Sequence, residues 1–178
     1  MTMLAIGRTG QKKKAPAFTL VELMGVMVVI GILAGLTVGG ASAVRSHGAS
    51  SRAKAEIAAL QAASERYYAD NNTYPTNAAM PDPGKDVDPR GTIYTSAGTK
   101  LFTELYGTNK LNLAPATKRY FEPKASMVNS SGNPYFLDPW GYAYGYNSDG
   151  TNAPLIWSTA GQTNAASTNK WITSWPKM

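Results

Sequence analysis

Ala17-Phe18-Thr19-Leu20-Val21-Glu22 leads into LMGVMVVIGILAGLTVGGASAV, residues 23–44. The 22 residues from Leu23 to Val44 carry no charge. A helix rises about 1.5 Å per residue, and roughly 20 apolar residues cross a bilayer core. The run therefore predicts a helix long enough to span a membrane. Arg8, Lys12, Lys13 and Lys14 precede it, and the first 17 residues hold no acid. Basic residues on that side keep the amino terminus in the cytoplasm and send the rest of the chain across.

Three segment types fit such a beginning. A secretory signal peptide has an A-x-A cleavage site, and Ala41-Ser42-Ala43 supplies one. Its apolar region normally spans about 7–15 residues, and this run is longer. A plain membrane anchor on an extracytoplasmic domain is the second type. The third is a prepilin-type leader, and Glu22 selects it. An acid inside an apolar segment costs about 2.5–3.5 kcal/mol on insertion scales, so it is kept for a purpose and with a partner.

Phe18-Thr19-Leu20-Val21-Glu22-Leu23 resembles the start of mature type IV pilins and pseudopilins: an aromatic, Thr, Leu, an aliphatic residue, Glu and Leu. The resemblance implies cleavage between Ala17 and Phe18 and N-methylation of Phe18. Ala17 departs from the usual glycine but is also small. The new ammonium would lie in an apolar filament core, where Glu22 of a neighbouring subunit can neutralise it. Buried ion pairs add little net stability but penalise misregister, so Glu22 would specify assembly register.

Gly31, Gly35 and Gly39 recur every fourth residue, a spacing that lets helices approach closely. After Val44 the composition changes. Ala53, Ile57, Leu60, Ser64 and Tyr67 fall at spacings of three and four and predict one buried helical face. Arg52 and Glu56 form an i,i+4 pair. Pro75 ends the helix after Asn71-Asn72-Thr73-Tyr74. His47, the single histidine, is expected in solvent where the apolar run ends.

Residues 76–98 are rich in Pro, Gly, Asp and Thr and predict a loop. Asp82, Asp86 and Asp88 lack the glycine and terminal glutamate of an EF-hand. Thr99–Tyr106 predicts a short helix closed by Gly107, docked through Leu101, Phe102 and Leu105. Residues 135–178 hold all four tryptophans and nine of the 18 aromatics, which marks a small β-core packed on the long helix. Asp138-Pro139-Trp140-Gly141 is a turn, and Tyr142, Tyr144 and Tyr146 alternate as a strand would. Asn147-Ser148-Asp149-Gly150 signals a hairpin, and Leu155–Ser158 and Lys170–Thr173 are further strands.

The expected architecture is α+β. A cleaved leader (1–17) precedes a membrane-spanning or filament-core helix (18–44) and an amphipathic helix (45–74). A variable loop region with a short helix (75–134) leads to an antiparallel sheet region (135–178). The net charge of +6 falls to +2 once the leader's four cations are set aside, so no nucleic-acid partner is expected. With no cysteine and one histidine, the chain offers no recognisable catalytic set and is read as not an enzyme.

Two further segments resemble the major pseudopilins of type II secretion. One is the helix end Arg66–Pro75, finishing in Tyr74-Pro75. The other is Leu137-Asp138-Pro139-Trp140-Gly141 with Tyr144 and Tyr146, followed by Ser158-Thr159-Ala160-Gly161. The resemblance implies a subunit of a periplasmic pseudopilus, anchored in the inner membrane with its amino terminus cytoplasmic and its globular part periplasmic. Its implied partners are further copies of itself, other pseudopilins, a prepilin peptidase, an inner-membrane assembly platform and the membrane. A type IV pilus pilin for adhesion, motility or DNA uptake is the alternative, and a membrane-tethered enzyme or binding domain a further one. Major pseudopilins bind calcium behind an acidic Asp-Gly after Ser-x-Gly. Here Gln162-Thr163-Asn164 stands there and Asp149 is the one carboxylate beyond Gly141, so no cofactor is expected with Asp149 the sole calcium candidate.

Overall fold

A computed structural model describes residues 18–111 and 113–176, with backbone only for residues 37–43. The chain divides into two compact units, Met1–Ala43 and Val44–Met178. Helix α1 runs Leu20–Asn71 without interruption, passing through Gly48. Among the described residues no helix is long and apolar enough to cross a membrane. The expected span of residues 23–44 includes 37–43, whose side chains lie outside the described residues. Ala17 lies outside them too, and Gly39 and Ala41-Ser42-Ala43 are described by backbone alone.

In the second unit, the predicted face of α1 is the buried one. Ala53, Ile57, Leu60 and Ser64 lie within 3% of full burial, Tyr67 packs at the edge, and Ala63 joins them. His47 is exposed. Asn72 closes the helix in the left-handed region at φ 57°, its N–H bonded to the Tyr68 carbonyl. That conformation suits asparagine, whose short side chain tolerates it.

Helix α2 spans Thr92–Tyr106 and begins seven residues before the expected start. The 76–98 segment is therefore not all loop. Tyr94, Ala97, Gly98, Leu101, Phe102 and Leu105 share one buried stripe. Gly98 fits inside the helix because a Cβ there would stand 3.2 Å from Cβ of Tyr135. The close approach outweighs glycine's helix cost of about 1 kcal/mol. Gly107 closes the helix in αL at φ 82°, as expected.

The strands form two small antiparallel sheets rather than the one expected. Strand β1 (Val128–Asn129) pairs with β2 (Tyr135–Phe136). The second sheet orders β3 (Gly145–Asn147), β4 (Leu155–Ser158) and β5 (Ile172–Thr173) with β4 in the middle. The class is α+β. The tyrosine strand is shorter than the alternation predicted: of the three tyrosines only Tyr146 lies in β3, Tyr144 and Tyr146 are buried, and Tyr142 is half-buried. Tyr144 and Tyr146 join the α1–α2 core, and Ala143 joins Trp157 and Trp171 in a second apolar cluster. Gly145 is obligatory, since a Cβ would lie 2.0 Å from the Trp157 ring.

The hairpin joining β3 to β4 is longer than a tight turn, because Asn147 pairs with Leu155. Gly150 (φ 83°) leaves the sheet instead and accepts the N–H of Tyr74 at 2.9 Å. This loop thereby clamps the segment that follows α1.

Candidate functional site

Among its described residues, the amino-terminal unit presents an apolar surface around one charge, Glu22. Every large apolar residue from Phe18 to Leu36 is at least half exposed. A surface of that extent marks contact with lipid or protein. Cβ atoms added at Gly25, Gly31 or Gly35 would meet nothing among the described residues, so these small residues serve no contact there. Phe18, Glu22, Gly25, Val26, Val29 and Ile30 line a shallow groove of about 420 Å³.

Glu22 has a local role that the sequence reading missed. Its Oε2 accepts the backbone N–H of Thr19 at 2.9 Å and the Thr19 hydroxyl at 2.8 Å. The Glu22 N–H reaches Thr19 Oγ1 at 3.3 Å. This is a capping box at the start of α1, and the Thr-x-x-Glu spacing before an apolar run was its signal. Glu22 thus terminates the helix, and its exposed carboxylate stands beside Phe18, which is 81% exposed.

In the second unit two carboxylates organise the packing, Glu56 partly buried and Asp138 fully so. Glu56 on α1 binds Arg52 at 2.7 Å and accepts the Tyr144 hydroxyl at 2.7 Å. Asp138 sits in the Asp-Pro-Trp-Gly turn, 2% exposed. Its Oδ1 accepts the N–H groups of Trp140 (3.0 Å) and Tyr142 (2.9 Å), and its Oδ2 accepts the Ser158 hydroxyl at 2.6 Å. Burial pushes the Asp138 carboxyl up from its ordinary range, while these hydrogen bonds pull the other way.

Ser158 in turn accepts the Ala160 N–H at 3.0 Å. Thr159–Gln162 closes as a turn through Gln162 N–H to the Thr159 carbonyl at 3.0 Å. Its central residues, Ala160 and Gly161, take φ 51° and 78°. Trp140 covers Gly161, where a Cβ would stand 3.1 Å from the indole. The two segments singled out in the sequence, 137–141 and 158–161, are thus one hydrogen-bonded unit.

The donor set for calcium is short. Asp149 is exposed, and its oxygens take the N–H groups of Thr151 and Asn152 and the Asn152 amide, at 2.6–2.8 Å. Among the described residues no group of three or more His, Cys, Asp or Glu could hold a metal. Calcium takes six to eight oxygens with several carboxylates among them, and these residues do not fit it.

Residues 12–38 match the model of the prokaryotic N-terminal methylation motif. Among curated proteins, the chain is 32% identical over 117 residues to type II secretion system core protein G of Pseudomonas aeruginosa. That match covers 63% of the chain and 82% of the relative. It is 29% identical over 164 residues to the protein of the same name in Escherichia coli, covering 91% and 92%. The corresponding Aeromonas hydrophila protein is 41% identical over 66 residues, which is 37% of the chain and 46% of that relative. No solved structure matches the chain.

Proposed function

The chain belongs to the type II secretion system core protein G family, and from that premise we propose that it is a pseudopilin, the repeating subunit of a type II secretion pseudopilus. Its role is structural rather than enzymatic. A prepilin peptidase removes residues 1–17 and methylates Phe18. The subunit waits in the inner membrane, amino terminus cytoplasmic and second unit periplasmic, until an assembly platform adds it to the filament with other pseudopilins.

The observation that carries this reading is the exposed apolar surface from Phe18 to Leu36, interrupted by the single carboxylate of Glu22. Lipid covers it before assembly and other copies of α1 cover it afterwards. Gly31 and Gly35 admit a close neighbour there, and Gly39 continues the series in the sequence. Glu22 holds α1 capped, and in the filament its carboxylate compensates the ammonium of a neighbouring Phe18. Glu22→Ala expressed with the secretion machinery should be processed normally yet yield few or no sheared filaments. Filaments at the unsubstituted level would overturn the register role.

A further inference from the structure

We infer that the segment from Thr159 to Trp171 is closed by a direct protein lock, Asp138 onto Ser158 with Trp140 on Gly161, and not by a divalent cation. The inference rests on the family reading only in asking what replaces calcium; the lock itself is read from the geometry.

Asp138 Oδ1 serves two backbone N–H groups and Oδ2 one hydroxyl, all inside a site 2% exposed. An incoming cation would have to displace these donors. Ser158 is itself fully buried and relays the contact to Ala160. Ala160 occupies the left-handed region, which a residue with a Cβ holds only where its surroundings over-determine it. The Ser158–Ala160 bond and the Trp140–Gly161 packing supply that determination on either side. Further along, Trp171 stacks on Trp157 with centroids 6.2 Å apart and planes 10° apart, and Trp175 meets Trp157 edge-on at 5.8 Å. The far end of the segment is thus anchored in the apolar cluster. Gln162, in the place of the family's acid, contributes a backbone N–H to the turn and a side-chain amide to the Ala160 carbonyl.

The test is thermal unfolding of the full chain in detergent, followed by near-ultraviolet circular dichroism of the tryptophans, in millimolar calcium and in EDTA. The Tm should agree between the two within about 1 °C. Ser158→Ala should lower it by about 3 °C or more, equally in both buffers. A calcium-dependent rise of several degrees in the unsubstituted chain would overturn the lock, as would an unchanged Tm in Ser158→Ala. If Ser158→Ala does not fold, the calcium comparison on the unsubstituted chain still decides. Filament formation is not the readout, so failure here leaves the pseudopilin reading intact, and the reverse also holds.

Discussion

The hydroxyl of Tyr144 donates to Oε2 of Glu56 at 2.7 Å, across 88 positions of sequence. It joins the approach to β3 to the middle of α1. Arg52 flanks the same carboxylate and extends to Ser126 at 3.1 Å. One acid therefore gathers the helix, the segment before β1 and the tyrosine strand. Burial, aided by Glu56, holds the Tyr144 hydroxyl far above its ordinary range, so it remains a donor at any working pH.

Tyr144→Phe should keep the ring packing and lose only this bond. Hydrogen bonds to charged groups contribute about 1.5–3 kcal/mol. The variant should unfold at lower urea with an unchanged m-value. An unaltered midpoint would show that Arg52 alone satisfies Glu56.

Gly145→Ala should be among the most damaging single-methyl changes in the second unit. The new Cβ would lie inside the Trp157 ring's contact distance at 2.0 Å, and the ring has no space to retreat because Trp171 and Trp175 pack on it. Overpacking of this kind costs about 1–3 kcal/mol or more. Gly48→Ala is the contrast: its Cβ meets open space in a helix, where alanine gains about 1 kcal/mol. Urea midpoints that move in the same direction for both variants would contradict the packing described.

Acidification should reveal two carboxylates displaced in opposite senses. The Arg90 guanidinium beside Asp88 holds its carboxyl at about 2, below the ordinary 3.8. Asp88 then supports the fold above its unfolded value and loses that support as pH falls through about 2. Burial raises Asp138 above 3.8. The folded state takes up that proton more readily than the unfolded one. Asp138 therefore makes stability rise as pH falls through its folded value, levelling off below 3.8. Carboxyl-carbon NMR titration should show Asp138 protonating well before Asp88. The reverse order would refute the assignment of burial as the dominant influence on Asp138.

Periodic features were legible in the residues. The Ala53–Ser64 stripe predicts the buried face of α1 because only a 3.6-residue period brings those positions together. The start of α2 was not legible. Thr92, Ile93 and Thr95 are weak helix formers and Gly98 reads as a breaker, yet burial of Tyr94 and the contact of Gly98 with Tyr135 carry the helix back to Thr92. The β1–β2 pair was hidden because two residues per strand give no alternation to read. At the candidate sites, Glu22 stood out as the sole charge in an apolar stretch. Its bond to Thr19 was available from spacing, but the Asp138–Ser158 contact depends on tertiary approach across 20 positions.

The mature amino terminus tests the central claim most directly. The chain would be expressed with an active prepilin peptidase, purified from membranes, and its first peptide read by mass spectrometry. The mature chain should begin at N-methylated Phe18, and an uncut Met1 chain should remain when the peptidase is absent. A chain beginning at Val44, or one still carrying Ala17 when the peptidase is present, would contradict it.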